Sequence, residues 1–135
     1  MSMSNTTEND ILLAMLVGTD PAWRDDVTHY IALHTADPGE AGSATTSEAT
    51  YTSYARVAVT RATAWTDGGS TFSNAALIQF PQATGGTNAI THFSVVTTSS
   101  GAGQILVSGA LSATLNVTSG IQPQFAIGEL DVTAD

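Results

Sequence analysis

Cysteine and lysine are both absent from this chain. Without cysteine there is no disulfide, no thiolate zinc site, no iron–sulfur cluster and no cysteine nucleophile, so the fold must be held by packing, assembly or both. The cationic side chains are three arginines, Arg24, Arg56 and Arg61, against twelve acidic groups, for a net charge of -9 over 135 residues. No basic patch exists to neutralise a phosphate backbone, the term that dominates nucleic-acid affinity, which argues against nucleic acid as a partner. Long hydrophobic runs are missing too. The longest, Ile11 to Val17, falls well short of the ~20 residues a membrane helix needs, and nothing basic precedes it as in a signal peptide. The expectation is no membrane partner and no targeting segment.

What is present can build a core. Hydrophobic residues make up 42% of the chain and charged residues only 11%, a balance suited to one folded domain spanning 1–135. Residues 1–7 are small and polar and read as a tail that is mobile or ordered on contact. Asn9 and Asp10 can cap a helix carrying Ile11, Leu12, Leu13, Met15, Leu16 and Val17, and Gly18 can end it. That helix is apolar nearly all round, so it must be covered by the domain or by another subunit.

From His29 the period changes to two, the mark of half-buried strands. His29, Ile31 and Leu33 alternate with Tyr30, Ala32 and His34; Ala55, Val57 and Val59 alternate with Tyr54, Arg56, Ala58 and Thr60. Phe93, Val95 and Thr97, then Ile105, Val107 and Leu111, then Ala113, Leu115 and Val117 repeat the pattern. Near the C-terminus Phe125 and Ile127 share one parity and Leu130 and Val132 the other, so the phase slips at Gly128 and a β-bulge is expected near Gly128 and Glu129. Glycine-rich and proline-containing turns separate these runs. The fold class expected is mainly β: an antiparallel β-sandwich, jelly-roll-like, with one short N-terminal helix. Residues 36–53 form a long polar loop, the kind usually given to function or disorder.

Chemical signals are sparse. His29, His34 and His92 could bind a metal or act as bases, but His29 and His34 fall on opposite strand faces, and local hydrogen bonding or packing is the preferred reading for His92. No serine sits in a Gly-x-Ser-x-Gly elbow, and a phosphate-binding lysine loop is impossible. Asp20, Asp25 and Asp26 lack calcium-loop spacing. Trp23, Trp65, Tyr30, Tyr51 and Tyr54 could form a ligand platform, although core or interface packing accounts for them better. Arg56 and Arg61 could each anchor an ion pair within or between subunits. No metal, cofactor or catalytic residue is assigned.

Particular words in the sequence go further than composition. Residues 30–39 (YIALHTADPG), 54–59 (YARVAV), Ser73-Asn74-Ala75-Ala76 with Phe80-Pro81, and Thr91-His92-Phe93, in that order, resemble a family of small tailed-bacteriophage virion proteins. Members are labelled tail-fibre-like, and related β-sandwich proteins act as capsid cement, often as trimers on the head surface. The resemblance implies a homotrimer that is not an enzyme. It implies first a capsid cement or decoration protein on the virion head, binding across neighbouring subunits of the major capsid protein and stabilising the expanded head by mass action and avidity. A tail-fibre or baseplate subunit contacting the host is the alternative. A polysaccharide hydrolase, which would need paired carboxylates, is the remaining one. The contacts expected are the terminal tail, the loop from Asp37 to Ser53 and the turns near Asp67 and Ser100. The named partner-binding candidates are Asp37, Glu40, Glu48, Tyr51, Arg56, Arg61 and Asp67.

Overall fold

The computed structural model describes residues 2–133. The chain runs β1 (Ser2–Met3), α1 (Asn5–Leu16), a 3₁₀ turn (Ala22–Asp25), β2 (Thr28–His34), β3 (Val57–Thr60), β4 (Trp65–Asp67), β5 (Thr71–Asn74), β6 (Ile78–Gln79), β7 (Asn88–Val96), β8 (Ile105–Val117), β9 (Gln124–Phe125) and β10 (Asp131–Thr133). All strand pairs are antiparallel. The main sheet has the order β1-β8-β7-β2-β3, beside a three-stranded sheet β10-β5-β4 and a pair β6-β9. The mainly antiparallel, sandwich-like class with one short helix is thus the one observed. The strands divide five, three and two, a different grouping from the paired Greek keys of a jelly roll.

Period two is visible where it was expected. In β2 and β7, Ile31, Leu33, Phe93 and Val95 face the main core, which joins the large sheet to Ile78 and Phe125 of the β6-β9 pair and to Phe80 and Leu130, which flank strands of the smaller sheets. The opposite face of β2 and β7 is buried as well: Ala32 and Val96 pack with Ala44 of the 36–53 segment and with Ile105. That polar segment therefore roofs the second face of the sheet, tied down by Ala49 N–H to Leu33 O, Thr35 N–H to Ser47 O and Ala44 N–H to Gly103 O, at 2.8, 2.8 and 2.9 Å.

Three local readings are corrected. The stretch read as a tail is docked over residues 2–7: Ser2 and Met3 pair with Ser108 and Val107, and Ser4, not Asn9 or Asp10, caps α1 by accepting from Thr7 N–H. The first turn is polar because it lies on Ile105 O of β8, to which the Ser4 and Thr7 hydroxyls donate at 2.6 and 2.9 Å. Gly18, with φ +76°, does end the helix as expected.

The irregularity at Gly128 is a turn, not a bulge. Glu129 N–H donates to Ala126 O across Ile127 and Gly128, whose φ is +77°, a backbone that glycine adopts without a Cβ penalty. Phe125 belongs to the β6-β9 pair and Val132 to the sheet of β5, so no single strand had to restore its phase, and Ile127 stays 70% exposed at the turn. The bulges fall in β8 instead. Leu106 is extra between the pairs Ile105↔Val96 and Val107↔Val95, and residues 111–114 lie opposite Thr91 alone between the pairs Ala110↔His92 and Leu115↔Ile90.

Candidate interaction surface

The seven residues nominated from sequence separate into a buried clamp and scattered surface positions. Glu48, Tyr51 and Arg56 are brought together. The Arg56 guanidinium donates from Nε and Nη2 to the two carboxylate oxygens of Glu48, at 2.7 and 2.9 Å, from Nη1 to Thr98 O at 2.8 Å and from Nη2 to Gly101 O at 2.7 Å. Tyr54 OH donates to Glu48 at 3.0 Å and accepts from Leu33 N–H at 3.1 Å, and Tyr51 meets the Tyr54 ring edge-on at 5.4 Å. One cation thus locks the 36–53 roof to the 97–103 loop, and Tyr54 ties the same carboxylate to β2. The hydrogen bonds to Glu48 raise Arg56 above its usual range even against burial, while burial pushes Tyr51 up to about 12.

The remaining four lie nearer solvent. Asp37 and Asp67 accept from the N–H of Gly39 and Gly69, turning their own loops. Glu40 is exposed and accepts from the Ser2 hydroxyl at 3.0 Å. Arg61 donates to the carbonyls of Trp23 and Arg24 and lies over the Trp23 ring at 5.9 Å.

The histidines are all placed inside or beside the large sheet. His34, fully buried, bonds through Nδ1 to Thr46 O at 2.8 Å and through Nε2 to the Ser94 hydroxyl at 2.7 Å. This is the spacing of a base and a nucleophile, yet Ser94 is 0% exposed, so no substrate reaches that hydroxyl in this structure. The pair instead fastens the roof to β7. His29 is on the other face, and its Nε2 is buried without a hydrogen-bond partner among the described residues. Burial pushes both His29 and His34 below the usual histidine range. His92 bonds locally to the Thr91 hydroxyl at 2.9 Å, as the sequence suggested.

Carboxylates also meet a depression of about 380 Å³ floored by Phe93, Leu115 and Phe125 at the wide β8 bulge. Its Glu129 accepts from Ala126 N–H and its Asp131 from the Ser73 hydroxyl, at 2.6 and 2.9 Å, so each holds its own neighbourhood.

The largest unsatisfied feature is apolar. Only Thr7 of α1 is buried, while Leu12, Met15, Leu16 and Val17 are 50%, 66%, 79% and 68% exposed. Next to the helix runs a groove of about 430 Å³ walled by Met3, Ile11, Trp23, Phe72, Leu106 and Val132. Trp23 is held there by its Nε1–H to Asp10, which also accepts from Gln104, both at 2.9 Å. Sequence patterning showed that the helix needed cover. The groove left no such trace, because its walls come from positions spread between Met3 and Val132.

Among the described residues, the polar side chains nominated from sequence chiefly fasten loops, while the end of α1 and the groove beside it leave apolar side chains open to solvent. Residues 2–133 match the protein family described as "Podophage GP4 fiber I protein gp80". The chain belongs to that family, which makes it a phage virion protein of tail-fibre-like kind and agrees with the resemblance read from the sequence. None of the curated proteins compared with it matches.

Proposed function

We propose that this protein is a structural subunit of a phage tail fibre. The observation that carries the reading is the extent of the family match: residues 2–133, every residue the structure describes, correspond to a family described as a fibre protein. Buried polar clamps support a mechanical role, since loops held by Arg56, His34 and Asn74 transmit force through directional hydrogen bonds and a close-packed core. On this reading the protein sits on the tail. The capsid-cement role, with the major capsid protein as partner, is less well supported than this alternative because the family description names a fibre. The α1 end and its groove supply the apolar surface an assembled subunit requires.

The test is location. Gold-labelled antibody raised against the purified chain is applied to intact virions and to separated heads and tails. Label confined to tail appendages is the expected result. Regular label over isolated heads would return the function to capsid cement.

A further inference from the structure

We propose that the open edge of β8 over residues 111–117 takes up an extended segment of a different protein as an added strand. One apolar side chain of that segment fills the depression at the wide bulge, and a lysine or arginine two positions along it meets Glu129 and Asp131. This names the chemistry of a partner, goes beyond the fibre reading and rests on the edge alone.

β8 is 13 residues long, yet β1 covers it only at Val107 and Ser108. Among the described residues, 111–117 have β7 on one side and no strand on the other, and 111–114 have no register partner on β7 beyond Thr91. Ser112, Ala113, Thr114 and Asn116 are exposed. Sheet edges are ordinarily guarded by lysine, by other charges or by proline. From Phe93 to Gly128 this chain has no ionisable side chain, and its one proline there, Pro123, lies beyond the strand. What pairs with a row of open backbone donors and acceptors is another extended backbone.

The depression beside this edge selects the side chains. It holds about 380 Å³ over Phe93, Leu115 and Phe125, with Glu129 and Asp131 in its lining. Each carboxylate is fixed through one oxygen, Glu129 Oε2 by Ala126 N–H and Asp131 Oδ1 by the Ser73 hydroxyl, and the other oxygen of each accepts from no described residue. Side chains two apart on a strand point to one face, so an apolar residue on this floor brings the next residue but one toward the acidic side. A cation there meets two oriented acceptors in a chain of net charge -9.

The chain's own copy does not supply that cation. Lysine is absent, and the three arginines are engaged: Arg24 with Asp20, Arg56 with Glu48, and Arg61 with the carbonyls of Trp23 and Arg24. The occupant is therefore a basic strand from elsewhere.

Fluorescence anisotropy with the full chain tests this, using four labelled octapeptides that alternate threonine with other residues. Each holds valine, leucine, isoleucine or phenylalanine two positions before a lysine, and at least one is expected to bind saturably. Exchanging its lysine for glutamate should weaken binding by at least about tenfold. Glu129→Gln combined with Asp131→Asn should weaken the lysine peptide by about fivefold, with thermal unfolding as the check that the double variant is folded. Methylating alternate backbone amides of the peptide leaves the protein unaltered and removes the donors along one strand edge; one of the two alternate sets should abolish binding and the other spare it. No saturable binding by any of the four, equal binding of the lysine and glutamate peptides, or equal effects of the two methylation sets would each overturn the proposal. Light scattering that shows a dimer dissolved by Ala113→Pro would put a second copy on the edge and overturn it as well. Virion labelling confined to heads would refute the fibre reading and leave peptide binding as measured.

Discussion

Arg56 and Glu48, eight residues apart, meet fork to fork with side chains only 2% and 16% exposed. In a chain with three cations this one is enclosed, so its value lies in joining segments rather than in attracting a partner. Arg56→Ala strands the Glu48 carboxylate against Tyr54 and removes the donors to Thr98 and Gly101. Breaking such a pair from one side costs about 3–5 kcal/mol. Arg56→Lys keeps the charge but not the two parallel bonds, and is expected to recover less than about half of that. Urea unfolding of the three proteins measures both. A loss under about 1 kcal/mol for Arg56→Ala, the value of an exposed pair, would show that the clamp does not hold in solution.

The buried histidines make stability depend on pH in a definite direction. His34 and His29 are both depressed from 6.5, chiefly by burial; Glu48, Arg56 and His92 act on the first, and Arg61 and Asp26 on the second. Well above pH 6.5 both are neutral folded or unfolded, and contribute no slope. Below it the unfolded chain takes up protons that the folded chain refuses, so stability falls, by up to about 1.4 kcal/mol per pH unit for each histidine. Urea midpoints between pH 7.5 and 5.5 are expected to drop, with His34→Gln reducing the slope by about half. A slope unchanged in both His34→Gln and His29→Gln would assign the acid sensitivity to other groups.

Period two exposed β2, β3, β7 and β8 in the sequence because one set of alternating side chains must meet the core. The slip at Gly128 was legible as an event but not as a device, since parity cannot tell a bulge within one strand from a turn between strands of two sheets. The cap at Ser4 was hidden because its stabilising partner, Ile105 O, is 101 positions away. Candidate residues divided along the same line. The apolarity of residues 11–17 is a local property and called for cover, by the domain or by another subunit. Arg56 was noticed as a rare cation and Glu48 as an acidic residue of the long loop, yet only the folded loop shows that they serve each other.

Asn74, in a stretch that carried the family resemblance, makes a sharper test of framework chemistry. It is 1% exposed; its Nδ2 donates to Ala76 O and Ala126 O at 2.8 and 2.9 Å, and its Oδ1 accepts from Leu130 N–H at 2.9 Å. Asn74→Ala leaves these backbone groups unpaired and should cost about 3 kcal/mol. Asn74→Asp is nearly isosteric but turns a carboxylate oxygen toward the two carbonyls, and should be the less stable of the two. Thermal unfolding at pH 7 ranks them. The opposite order would mean that the cavity, and not hydrogen bonding, decides the site.

The latch under α1 should show coupling rather than simple addition. Ser4 and Thr7 both donate to Ile105 O, and Ser4 also accepts from Thr7 N–H at 3.2 Å. Ser4→Ala removes the cap and one donor, for about 1–2 kcal/mol, but leaves Thr7 on the carbonyl. Thr7→Val removes the other donor and the acceptor for Gln104, again leaving one hydroxyl in place. Only the double variant deprives Ile105 O of both hydroxyls, so its loss should exceed the sum of the single losses by about 1 kcal/mol. A double-mutant cycle in urea measures that excess. Strict additivity would mean that the two hydroxyls act independently, and that α1 is held to β8 by its strand pairing at Ser2 and Met3 instead.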